Sequence, residues 1–166
     1  RQMCIRDRAW TVPNLHAAPK NQPVRVGWTA SGGHLSDAQD LARLLAHAKA
    51  RDPQLFQEFK LCLMTTPRNA QAFADEGLEF EHTPTGPFET YMRFISGLDA
   101  GLAHLTAAPF AQGRSDGKYI EYASRGVPAI CHASGTYAHT IRHGANGLLY
   151  ADDKSFRLSL IHISEP

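Results

Sequence analysis

Short, largely apolar runs alternate with amphipathic stretches along most of this chain. Val24–Ala30 is the first such run, closed by Ser31-Gly32-Gly33. Asp37–Arg51 carries Leu41, Leu44, Leu45 and Ala48 at helical spacing, with Pro53 just beyond, which predicts a helix. Lys60–Thr66 reads as a second strand and Pro67–Glu76 as a short helix ending at Gly77. Leu78–His82 alternates apolar and polar residues, as an edge strand does, and Thr83–Pro87 reads as a loop. Phe88–Ser96 is expected to be helical and Ala100–Leu105 a buried strand. Ser115–Arg125 predicts a helix stopped by Gly126 and Pro128, Pro128–Ala133 a strand, Thr136–Arg142 a short helix, and Gly147–Tyr150 a last strand.

Strands and helices that alternate through short connections predict an α/β fold, with a parallel sheet covered by helices on both faces. Right-handed crossovers then bring the strand-end loops to one edge, where such sheets bind ligands. The candidate loops are Thr29–His34, Thr65–Arg68, Thr83–Phe88, Thr106–Ser115 and Ala133–Thr136.

Composition narrows the function. A chain of 166 residues suffices for one domain with a real core. Its formal net charge is +1 with basic residues scattered, which argues against a nucleic-acid partner. No apolar run approaches the roughly 20 residues of a membrane span. Cys4, Cys62 and Cys131 are far apart and odd in number, a cytoplasmic pattern rather than a disulfide framework. Residues 1–8 and 157–166 look like translated adapter sequence, so both are set aside as non-native. Residues 9–23 read as a linker, leaving 24–156 as the expected domain.

Two segments carry candidate chemistry. In Ser31-Gly32-Gly33-His34 the glycines permit close ligand approach and positive φ, the next helix offers free amides, and His34 can donate to a phosphate or sugar hydroxyl. An ordinary strand-to-helix turn with a surface histidine is the competing reading. Gly-x-Gly-x-x-Gly is absent, which argues against a dinucleotide fingerprint. In Arg114-Ser115-Asp116-Gly117-Lys118-Tyr119-Ile120-Glu121, Ser115 is the expected N-cap. Lys118 then lies in the first helical turn, where the helix dipole disfavours a cation but a phosphate would welcome one. Glu121 follows at i+3 on the same face and can accept two hydrogen bonds from a vicinal diol. A solvated Lys118–Glu121 ion pair is the alternative. His139 and His143 have the i, i+4 spacing of helical zinc ligands, but no third ligand accompanies them and no metal site is expected. Gly144 is expected as a helix C′ residue, Asp99 to orient a strand start, Trp28 and Tyr119 to pack in the core, and His104 and His132 to be core or rim histidines.

Val12-Pro13-Asn14, Val24–Trp28, Leu98–Leu105, Lys118–Pro128 and His143–Leu149, in this order and spacing, resemble the C-terminal domain of GT-B fold glycosyltransferases. The nearest group is glycosyltransferase family 4, the glycosyl transferases group 1 domain. The resemblance implies a Rossmann-like doubly wound parallel sheet of about six strands, one half of a GT-B fold. It implies a nucleotide-sugar donor, a missing N-terminal acceptor domain, a retaining outcome and no bound cofactor. The expected donor-binding residues are Gly32, Gly33, His34, Arg114, Ser115, Lys118 and Glu121, with Glu121 as the second glutamate of an E-x7-E motif holding the ribose. Gly113 stands where the first glutamate belongs; some branches of the family have a basic residue and a serine near here, a role open to Arg114 and Ser115. The resemblance also implies a cytoplasmic protein, peripheral at a membrane at most, and an isolated chain with little activity of its own. The rival expectations are a degenerate, non-catalytic nucleotide- or sugar-binding module, and an epimerase or other α/β enzyme sharing the diphosphate site.

Overall fold

A computed structural model describes residues 22–106 and 113–164. The adapter-like start, nearly all of the expected linker and the end at 165–166 therefore lie outside the described residues, as does most of the Thr106–Ser115 loop.

Six strands form one sheet: β1 (Val24–Ala30), β2 (Phe59–Thr65), β3 (Glu81–Pro84), β4 (Ala100–Ala103), β5 (Ala129–His132) and β6 (Leu148–Tyr150). Their order is β3-β2-β1-β4-β5-β6, and every pair is parallel. The order reverses at β1, which places a crevice between the loops after β1 and β4. The helices are α1 (Leu35–Arg51), α2 (Leu55–Glu58), α3 (Pro67–Asp75), α4 (Phe88–Ser96), α5 (Gly117–Ser124), α6 (Gly135–Thr140) and α7 (Asp153–Ser164).

The sheet has a core on each face, because successive strand residues point to opposite sides. Leu61, Leu63, Ala100, Leu102 and Ile130 pack with α1, α3 and α7. Cys62, Ala103, Ala129 and Cys131 pack with α4, α5 and α6. Gly101 lies on the α5 side, where a Cβ would stand 2.6 Å from the ring of Tyr122; only glycine lets this helix approach so closely. Trp28 and Tyr119 are core residues, as expected. Asp99 orients the start of β4: Arg25 N donates to its Oδ2 at 2.7 Å, and Asp99 N donates to Arg25 O at 2.9 Å.

Four local expectations shift. The edge strand begins at Glu81 rather than Leu78. Gly77 takes φ 68° and Leu78 N donates back to Phe73 O at 3.1 Å, so Leu78 closes α3 instead of opening β3. Thr83 and Pro84, expected in a loop, then complete the strand, where an edge tolerates the missing proline donor. Asp116, not Ser115, precedes α5 as N-cap. The sixth helix ends at Thr140, so Gly144 is no C′ residue; its φ of 77° serves the turn that pairs His143 with Gly147.

The boundary drawn at Phe156 falls inside α7. Phe156, Leu160 and Ile163 are all buried against α1, α2 and the sheet. No helix of the described residues is long and apolar enough to cross a membrane.

Candidate functional site

A cavity of about 780 Å³ opens at the carboxyl edge of the sheet beside the β1/β4 switch point. Gly33, His34, Arg114, Ser115, Lys118 and Glu121 all line it, and Gly32 alone of the expected donor-binding set does not. Loops after β1, β3 and β4 thus converge, as parallel topology requires.

The first wall is the turn after β1. Gly32–His34 forms one turn of 3-10 helix leading into α1. Neither Gly32 nor Gly33 has positive φ, so the expected conformational role is not used. A Cβ on Gly33 would meet nothing within 4 Å. The protein's own packing thus does not demand glycine there; a body entering the cavity would. Asn69 on α3 fixes the turn from behind, its Nδ2 donating to Ser31 O at 2.9 Å and to Thr65 Oγ1 at 3.0 Å.

His34 is not a spare donor. Its Nδ1 lies 2.8 Å from Asp37 Oδ2, and Arg114 Nη1 contacts both ring nitrogens, Nδ1 and, at 2.9 Å, Nε2. Arg114 also reaches Asp37 Oδ2 at 3.3 Å and donates to Gly33 O at 3.3 Å. Asp37 is buried, which pushes its carboxyl up. Hydrogen bonds from His34 and the Thr106 amide, with the Arg114 charge, outweigh that and hold it below the ordinary value. His34 and Asp37 therefore hold Arg114 at the cavity wall. Sequence reasoning overlooked Asp37, although an acid one turn after the Gly-Gly turn was a readable signal.

The second wall is the start of α5. The first amides of a helix have no intrahelical acceptor, and Asp116 makes no side-chain cap. Two threonines of α6 brace the preceding loop. Thr136 Oγ1 donates to Arg114 O at 2.6 Å, and Thr140 Oγ1 to Asp116 Oδ2 at 2.7 Å. Lys118 lines the cavity beside these amides, partly buried. Among the described residues its ammonium makes no hydrogen bond or ion pair, so the alternative of a Lys118–Glu121 ion pair is not formed. Burial, with help from Arg114, draws its pKa down to about 8, against the opposing pull of Glu121 and Asp37.

Glu121 has a different partner. Tyr91, from α4, donates its hydroxyl to Glu121 Oε2. Tyr91 escaped sequence analysis because a tyrosine amid Phe88, Met92 and Ile95 reads as part of an apolar helix face. Phe88 stands at the rim of the cavity, 68% exposed.

The other described histidines sit elsewhere. His104 bonds Tyr150 Oη and Asp40 Oδ2, and His132 bonds Ser134 Oγ, as expected of core or rim groups. Among the described residues no cluster of His, Cys, Asp and Glu is arranged to hold a metal, His139 and His143 included.

No protein-family model matches the chain, and no curated protein sequence matches it significantly. Solved structures do. A TarM variant of S. aureus, solved with fondaparinux, alpha-GlcNAc-glycerol and UDP, superposes with a TM-score of 0.62 at 15% identity, over 90% of this chain and 30% of that one. The C-terminal domain of LpcC, a glycosyl transferase group 1 family protein of Francisella tularensis, gives 0.55 at 15% identity over 87% and 77%. The UDP-GlcNAc 2-epimerase of Methanocaldococcus jannaschii, solved with UDP-GlcNAc and UDP, gives 0.58 at 10% over 87% and 39%. The chain thus spans about a third of TarM and has the fold of GT-B type domains, a fold it shares with an epimerase.

Proposed function

We propose that this domain binds the nucleoside-diphosphate part of a nucleotide-sugar and serves as the donor half of a glycosyltransferase. The observation that carries the reading is Lys118: a partly buried ammonium without a hydrogen-bond or ion-pair partner among the described residues, beside open helix amides and Arg114 in a large cleft. A partly desolvated ammonium is stabilised by an anion, and a diphosphate matches two cations and a helix N-terminus. Glu121 faces the same space and suits ribose hydroxyls, while Phe88 offers an exposed ring on which a base can stack. UDP and UDP-GlcNAc in the structural neighbours agree with this assignment.

In this reading the bond between the sugar and the diphosphate breaks while an acceptor oxygen takes the sugar. The domain's part is to stabilise the charge that develops on the leaving diphosphate, through Lys118, Arg114 and the amides of α5. The acceptor comes from an N-terminal domain across the cleft, and the outcome is retaining by resemblance. Gly113, in place of the first glutamate, favours a second reading: a module that binds nucleotide without transferring sugar.

Calorimetry with UDP and GDP tests the first step. Lys118→Ala is expected to weaken binding by about 1.5–3 kcal/mol, roughly 10- to 100-fold. Failure of the wild-type chain to bind either nucleotide at millimolar concentration sinks the proposal. If nucleotide binds but the full-length protein transfers no sugar, the module reading stands.

A further inference from the structure

We infer that Tyr91 is the positioning residue for Glu121, fixing one carboxylate oxygen inward so that the other reads a hydroxyl pair on the ligand. This rests on the nucleotide reading above and adds a source of sugar selectivity to it.

Three elements build the arrangement. Thr29 of β1 is buried, and its hydroxyl lies 3.4 Å from Tyr91 Oη. Tyr91 of α4 donates to Glu121 Oε2 of α5. Since the tyrosine proton goes to the carboxylate, Thr29 must be the donor in the first link, giving a relay Thr29→Tyr91→Glu121 with one direction. All three residues line the cavity. Burial raises the Tyr91 pKa, and the bond to Glu121 raises it further, so the phenol remains a donor across the working pH range.

The chemical consequence follows from counting lone pairs. A carboxylate has about four acceptor sites on two oxygens. Tyr91 takes one on Oε2, and no hydrogen bond to Oε1 is formed among the described residues. Without Tyr91 the carboxylate can rotate about its last torsion, which is broad for glutamate. With Tyr91 in place, one orientation is selected, and Oε1 meets the ligand as a preorganised acceptor. A ribose diol gains from that orientation, and a deoxyribose loses part of it. A positioned site that hydrogen-bonds a hydroxyl discriminates against the analogue lacking it.

The test uses the full chain, with UDP and 2′-deoxy-UDP as probes in calorimetry. Wild type is expected to prefer UDP by about tenfold. Tyr91→Phe keeps the ring in its packing and should cut that preference to twofold or less while leaving 2′-deoxy-UDP affinity within about twofold. In a Glu121→Ala background, which removes the acceptor of the Tyr91 hydroxyl, Tyr91→Phe should change nothing further, because it acts through the carboxylate. Three results overturn the inference alone: discrimination retained in Tyr91→Phe, equal loss for both nucleotides, or additive effects in the double variant. No binding of either nucleotide by wild type overturns the nucleotide reading itself and this inference with it.

Discussion

Diphosphate binding at this cleft is predicted to take up protons, and Lys118 sets how many. Its ammonium is drawn to about 8 by burial, with Arg114 assisting and Glu121 and Asp37 opposing. A bound polyanion replaces the lost hydration and returns the group towards its ordinary value near 10.4. At pH 8 the free domain is then about half deprotonated at Lys118, so binding takes up roughly half a proton; at pH 7 the figure is about 0.1. Affinity should fall about tenfold between pH 7 and pH 9. Arg114 stays charged throughout. The terminal phosphate of a nucleotide titrates near pH 6, so work at pH 8 and above keeps its own proton out of the balance. Titrations in two buffers of different ionisation enthalpy give the proton count directly, with Lys118→Met as the control. An uptake below about 0.2 proton at pH 8, or the same uptake in Lys118→Met, refutes the assignment.

The same shift has a stability counterpart of opposite direction. Lys118 loses its proton near pH 8 when folded and near 10.4 when unfolded. Between those values the unfolded chain binds more protons, so the ligand-free domain gains stability as pH rises through that window and is flat below it. The gain is at most about 3 kcal/mol and is reduced by the partial exposure of Lys118.

Two further substitutions test the packing. Gly101→Ala places a methyl 2.6 Å from the Tyr122 ring and should cost about 1–3 kcal/mol in chemical denaturation, while an unchanged midpoint would mean that α5 moves away freely. Leu160→Ala should cost about 2–5 kcal/mol, because Leu160 is fully buried on the inner side of α7; a loss under about 0.5 kcal/mol would show that this helix adds nothing to the core.

The sheet and the gathering of Gly33, His34, Arg114, Ser115, Lys118 and Glu121 were legible because both rest on local patterns. Alternating elements imply parallel strands, and parallel strands bring successive loops to one edge. What the chain hid depends on packing between distant segments. Tyr91 meets Glu121 only because α4 and α5 lie on the same face of the sheet. The Asp37–Arg114 contact joins the first turn of α1 to the loop before α5, and His34 packs between them. Leu78 looked like a strand residue because its apolar side chain is buried either way; the left-handed Gly77 decided which element claimed it. The burial of Leu160 and Ile163 beyond Phe156 was invisible to a reading that set those residues aside.

The partnership of Arg114 with Asp37 shapes how a ligand would reach this cleft. Counted as formal charges, Arg114 and Lys118 are matched by Asp37 and Glu121, in a chain whose net charge is only +1. Beyond a Debye length of about 8 Å their fields largely cancel. The cleft therefore does not steer an anion from a distance, as a basic funnel would. It offers close-range complementarity instead, felt only after an encounter that diffusion alone has produced.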